Sequence, residues 1–189
     1  WYDPEVRSEP RPMTTEALRA LLDDADERRR GYVAAVAALP PDARTVRPGP
    51  DSWSPLEILE HLVLAERDVL RSLFSDGGPR PRPRSLRNRV LYGVVMGILR
   101  FGVRVRVPSP KMAPTGAPSF EELQAMWDET HARLRSHIDG SGPAELRLAL
   151  FGHPVSGPLD TGQAVRMLHV HLKHHEKQFA AAVEAAGAG

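Results

Sequence analysis

The chain has no cysteine. Disulfides and thiolate metal sites are therefore excluded, and any metal must be held by nitrogen and oxygen donors. No apolar run approaches the roughly 20 residues needed to cross a bilayer. The opening residues are polar and proline-rich, without the apolar segment of a secretory leader. Net charge is only +1 over 189 residues, so nothing global demands a nucleic acid or a membrane as partner. There are no internal repeats. No Gly-x-Ser-x-Gly elbow and no glycine-rich phosphate cradle is present. Alternating strand patterns are almost absent. The chain opens Trp1-Tyr2-Asp3-Pro4 without methionine, so a start upstream or a processed end is expected. A reducing, cytoplasmic setting agrees with these absences.

What is there is helical periodicity, punctuated by proline and glycine. The length suits one domain with a sizeable core. Residues 1–13 read as an extended arm, because Pro4, Pro10 and Pro12 block a helix. A single domain over 14–186 follows. Thr14 or Thr15 caps a first helix running to about Leu39, and Pro40-Pro41 stops it. Ser54-Pro55 with Glu57 forms a capping box for a second helix, which Gly77-Gly78-Pro79 ends. Residues 79–118 are a basic, proline-rich insertion, with a short helix expected over about 86–101. Ser119 caps a third long helix that ends at Gly140. A loop through Phe151-Gly152-His153-Pro154 leads to the last helix, about Thr161 to Ala186. Four long amphipathic helices predict an all-α, four-helix bundle.

Chemistry concentrates in the run from His169 to Gln178. His171 and His175 lie four residues apart, so on a helix they project from one face, one turn apart, and both can reach one metal ion. They sit on the apolar stripe with Leu168, Phe179 and Ala182, where a histidine needs a partner. His61, on the core face of the second helix, supplies a third imidazole. Three protein ligands leave a coordination position open, which is the catalytic and not the structural arrangement.

The pattern Trp53-Ser54-x-x-Glu57-x-x-x-His61-Leu62, followed by His171-x-x-His174-His175-x-x-Gln178, resembles the DinB/YfiT-like superfamily of metal-dependent proteins. The loop Gly152–Leu159 is also similar to loops of that family. The resemblance covers roughly 14–186. It implies a DinB-like four-helix bundle, often a homodimer, with a divalent ion on His61, His171 and His175. Zinc is the first expectation, with nickel, iron or manganese as alternatives. It also implies small-molecule chemistry of a thiol S-transferase or hydrolase type, since branches of the family use low-molecular-weight thiols. The alternative is a non-catalytic, metal- or small-ligand-binding stress-response bundle. His174 matches a flanking position and Gln178 the glutamine that closes the motif.

Glu57 and Gln178 are the candidate catalytic residues. Glu57 is read either as a cap or as a group that orients water or a ligand imidazole, and Asp68 as another orienting group. His131 is expected to be a core histidine with a partner, or else to face the site. His153 is in reach of the bundle mouth. His169 is expected in solvent and His137 at a helix end. The 86–107 segment is expected to fold over the mouth as a lid, with an arginine meeting an anionic substrate. Its basic lead is otherwise a solvated charge run. Neither nucleic acid nor stable membrane insertion is expected.

Overall fold

The computed structural model describes residues 13–103 and 109–188. The arm expected over 1–13 falls, apart from Met13, outside the described residues, as do Arg104, Arg106 and Val107. Among the described residues the chain is mostly helical. It forms α1 (Thr15–Ala38), α2 (Pro55–Val69), α3 (Leu86–Arg100), α4 (Phe120–Gly140) and α5 (Thr161–Gly187), with one hairpin, β1 (Phe151–His153) and β2 (Gly157–Leu159). None of these helices is long and apolar enough to cross a membrane.

The helices begin where short polar side chains satisfy their free N–H groups. Thr14 accepts from the Ala17 amide. Ser54 with Glu57, Ser85 with Asn88, and Ser119 with Glu122 form reciprocal capping boxes. Asp160 with Gln163 starts α5 in the same way. The second helix is shorter than its apolar pattern suggests. It closes at Val69 and tightens into a 3-10 turn over Arg71–Phe74. That turn places the Phe74 ring between the Arg67 and Arg133 guanidinium groups, at 4.1 and 4.5 Å, and Arg133 donates to the Leu73 carbonyl at 3.0 Å.

The segment expected as a loop at Phe151 is instead an antiparallel hairpin, with Phe151 opposite Leu159 and His153 opposite Gly157. Three-residue strands are too short to show alternation in a sequence. Gly157 closes the turn at φ +75°, a conformation that glycine adopts freely, and a side chain there would run into Asn88. Phe151 and Leu159 are fully buried and anchor the hairpin in the core.

Helices α1, α2, α4 and α5 pack on one another, while α3 lies against α5 and β2. The core has two apolar clusters. One gathers Leu22, Leu70, Leu134, Ile138, Phe151 and Val165. The other gathers Tyr32, Val36, Leu59, Trp127, Leu172 and Phe179. Where one cluster gives way to the other, α1 carries Asp26, α2 carries Glu66 and α4 carries His131, and all three are buried. The α3 segment is fastened at several points. Arg82 donates its amide to the Ala149 carbonyl at 3.0 Å, Arg84 pairs with Asp160 at 3.2 Å, and Asn88 donates to the Ser156 carbonyl at 3.2 Å.

Candidate metal centre

His61 reaches the site from α2, and His171 and His175 from α5. Their nearest ring nitrogens all lie within 4.8 Å of one another, a grouping that can hold a metal ion. His61 and His175 are buried, and His171 is partly exposed.

Their hydrogen bonds decide which nitrogen faces inward. His61 Nδ1 donates to the Met112 carbonyl at 2.7 Å. His175 Nδ1 donates to Gln178 Oε1 at 2.9 Å. Each neutral ring therefore carries its proton on Nδ1 and turns a bare Nε2 lone pair toward its neighbours, the arrangement in which outer partners orient metal-binding imidazoles. His171 Nε2 lies 3.3 Å from His61 Nε2 and 3.1 Å from His175 Nε2. A neutral His171 has at most one Nε2–H, so it can satisfy only one of these two acceptors. A cation satisfies all three. The spacing is also close to the edge of a tetrahedron, about 3.3–3.4 Å, drawn around an ion with nitrogen bonds of about 2.0–2.1 Å. The donor set thus fits a divalent ion of the zinc type.

Burial keeps the rings neutral. It pushes the His61 imidazole below its ordinary range, with the nearby His174 adding to the effect. Burial and the neighbouring His61 push His175 down to about 3. His171 is held well below the ordinary value by burial and by the surrounding imidazoles. Neutral imidazole is the form that binds metal.

The outer support of His61 was not anticipated. Glu60, the residue before it, is buried. It accepts from the Thr115 amide at 2.8 Å, the Thr115 hydroxyl at 2.7 Å and the Gly116 amide at 2.9 Å. Those bonds hold the 112–116 turn against α2, and that turn supplies the Met112 carbonyl. Gly116 takes φ +71° there. A glutamate beside a core histidine was the available signal, but its partners lie some 55 residues away. The Trp53 ring packs against His61, with 5.0 Å between ring centroids.

A cavity of about 910 Å³ opens beside the three histidines. Val95, Ile98 and Leu99 of α3 and Met167 and Leu168 of α5 give it an apolar wall. His153, His174, Gln178 and Glu66 are among its polar lining residues. His153 Nδ1 accepts from the Val155 and Ser156 amides at 3.2 and 3.1 Å. Its proton must then sit on Nε2, and burial lowers its pKa to about 4. His174 Nδ1 donates to the Leu99 carbonyl at 3.1 Å and ties α5 to α3.

The other candidates lie elsewhere. Glu57 does not line the cavity. Its carboxylate accepts from the Ser54 amide at 2.9 Å and is held by Arg47 at 2.8 Å. Burial opposes its ionisation, but the Arg47 and Ser54 bonds keep its pKa below the ordinary value. Asp68 pairs with Arg71 at 3.5 Å. His169, expected in solvent, is partly buried and lies 3.2 Å from Asp24. His137 meets the Thr161 hydroxyl at 3.2 Å. His131 is a core histidine clamped between Asp26 at 2.7 Å and Glu66 at 2.9 Å.

The described residues thus form a mostly helical protein with three convergent histidines beside a cavity. The family model of the DinB superfamily matches residues 24–179, and the chain belongs to that superfamily. No curated protein and no solved structure matches it.

Proposed function

We propose that this protein is a metal-dependent enzyme acting on a small molecule, as a thiol S-transferase or a hydrolase. In this reading α1, α2, α4 and α5 form the four-helix bundle, and α3 is the inserted lid. His61, His171 and His175 hold a divalent ion, zinc first. The observation that carries the reading is the set of three inward-facing Nε2 atoms beside a cavity large enough for a substrate. Three protein donors leave an open position.

A divalent ion bound there supplies Lewis acidity, which lowers the pKa of water or of a thiol at the open position. The chain has no cysteine, so a thiol has to come from a cosubstrate. Gln178 fixes the His175 ring and reaches the cavity wall. His153 offers an Nε2–H donor to an oxygen or a sulfur of the substrate. Glu66 lines the same cavity, and among the described residues its Oε1 is buried without a partner, so it supplies the acceptor. Glu57 acts as a cap. The apolar wall from α3 and α5 excludes water and suits an apolar substrate body.

The test begins with metal content after loading with zinc, nickel or cobalt(II), read for the parent and for His171→Ala. Loaded protein is then assayed for conjugation of low-molecular-weight thiols to electrophiles and for ester and amide hydrolysis. Stoichiometric metal lost in the variant, with turnover that follows metal content, supports the proposal. A parent that retains no metal would overturn it. Stoichiometric metal without turnover on either panel would favour the non-catalytic binding bundle.

A further inference from the structure

Helix α3 is apolar on two opposite faces. Val95, Ile98 and Leu99 point to the cavity, and Val95 and Met96 are buried. Leu86, Val90 and Val94 recur every fourth residue, and Phe101, which caps the helix, continues the same stripe two turns further on. These four are 76%, 60%, 51% and 85% exposed. Gly93 and Gly97 lie within the stripe, and among the described residues neither has a neighbour outside its own helix backbone within 4 Å of where a side chain would begin. A helix that is apolar all round is normally covered on every side. Four large apolar side chains on one exposed face mark an interaction surface.

The charge around this face is one-sided. From Gly77 to Phe120 the chain has no aspartate or glutamate and nine lysine or arginine residues. The rest of the chain holds 16 cations against 24 acids, so the near-neutral total hides a strongly basic segment. Arg104 and Arg106 lie outside the described residues. Of the other seven, Arg87 flanks the apolar stripe on one side, and Arg100 on the other. Arg80, Arg82, Arg87, Arg100 and Lys111 are exposed.

We infer that α3 and its basic flanks are a docking element for an anionic lipid bilayer. The helix is about 22 Å long, and it lies in the plane of the interface. Leu86, Val90, Val94 and Phe101 enter the headgroup–acyl boundary, while the arginines on either side meet lipid phosphates. A nucleic acid would leave the apolar stripe unused, since phosphate binding needs donors and charge. A second copy docked across a two-fold axis on α3 would set the same arginines against each other. The bilayer alone takes up both features. This inference is independent of what the three histidines do.

The experiment is flotation of the full chain with vesicles of phosphatidylcholine alone and of phosphatidylcholine with roughly one-third phosphatidylglycerol. The expected result is binding to the anionic vesicles only, at least about tenfold tighter, and weakened by salt. Val94→Asp with Phe101→Ser should reduce binding about tenfold or more, because the apolar anchor is lost. Arg87→Glu with Arg100→Glu should reduce it about thirtyfold or more. All four side chains are exposed, so helicity and melting should match the parent. If one double variant fails to fold, the other and the comparison of lipids still decide. No binding to anionic vesicles at low salt overturns the inference. So does binding that the Val94→Asp, Phe101→Ser protein retains in full, which reduces the effect to bulk charge. A dimer by light scattering that this variant splits also overturns it, by giving the face to a second copy.

Discussion

Histidines at two places in one molecule are held in opposite charge states. At the candidate metal centre His61, His171 and His175 face one another, and burial holds all three below their ordinary pKa. At the boundary of the two core clusters, His131 is buried as deeply. Burial alone would lower it too, but the Glu66 charge and the bonds to Asp26 and Glu66 hold its pKa up at about 9. His131 is thus an imidazolium that donates from Nε2 to Glu66 and sets its Nδ1 side against the Asp26 carboxylate. Asp26 is further gripped by Arg135 at 2.7 Å and by Arg29 at 3.2 Å. Glu66 also accepts from the Trp127 indole N–H at 2.5 Å. The residue type is the same, and the partners decide the difference: carboxylates make a structural cation, and imidazoles with carbonyl or amide partners make a neutral donor set.

The comparison predicts that the two places break differently. His131→Ala leaves Asp26 and Glu66 buried without their shared cation, so it should destabilise the fold by about 3–5 kcal/mol, read as a lower midpoint in urea. Metal uptake by the protein that remains folded should be normal. His171→Ala should do the reverse. Metal affinity should fall by about a hundredfold or more, because loss of a ligand exceeds the effect of losing an outer partner. Metal-free stability should change by less than about 1 kcal/mol, since the site's imidazoles are neutral and no buried charge loses its partner. A large loss of metal-free stability in His171→Ala would erase the distinction.

A histidine whose folded pKa is raised stabilises the fold fully below its unfolded value, near 6.5, and loses that contribution as pH rises through its folded value, about 9 here. The parent should therefore lose up to about 3 kcal/mol between pH 6.5 and 9 through His131. His131→Ala should lack this alkaline slope. The three neutral histidines act with the opposite sign: the unfolded chain takes up protons first, so their contribution favours folding above about pH 6.5 and is lost as pH falls. Denaturation midpoints from pH 5 to 10 for parent and variant check both signs.

The readable and the hidden parts of the chain divide along the same physical line. Helix starts were legible because a cap is a local event: Thr14, Ser54 and Ser119 act on amides three residues away. The i, i+4 histidines were legible because one helix sets their geometry. The Asp26–His131–Glu66 clamp was not, since its members come from three helices and no local pattern links them. Glu60 was hidden for the same reason, because its partners lie in the 112–116 turn. The hairpin escaped because three residues cannot display a period of two. The exposed stripe of α3 was visible as apolar residues, but only packing shows which of its faces is covered.

Gln178 tests how far the outer partners of the candidate metal centre matter. Its Oε1 holds the His175 Nδ1 proton, and Gln178→Ala frees the ring to rotate or to change tautomer. Metal affinity should fall by about tenfold, an order less than for a lost ligand. Gln178→Glu should restore or raise it, because a carboxylate is a stronger acceptor for that N–H. Equal metal affinity in all three proteins would show that packing alone orients His175.

Glu57 carries the smallest effect and separates two readings of one residue. As a cap it accepts from the Ser54 amide and pairs with Arg47, outside the cavity. Glu57→Ala should then cost about 1 kcal/mol of stability and leave metal content unchanged. Glu57→Gln keeps an acceptor at the third helical position, so it should recover much of that loss even without the Arg47 ion pair. A group that orients water or a ligand imidazole would behave otherwise. Its glutamine variant would stay as stable as the parent and lose turnover or metal. The deciding comparison is therefore between Glu57→Gln and the parent at equal folded fraction. Matching metal content and turnover assign Glu57 to the helix end, and a specific loss of either would return it to the chemistry.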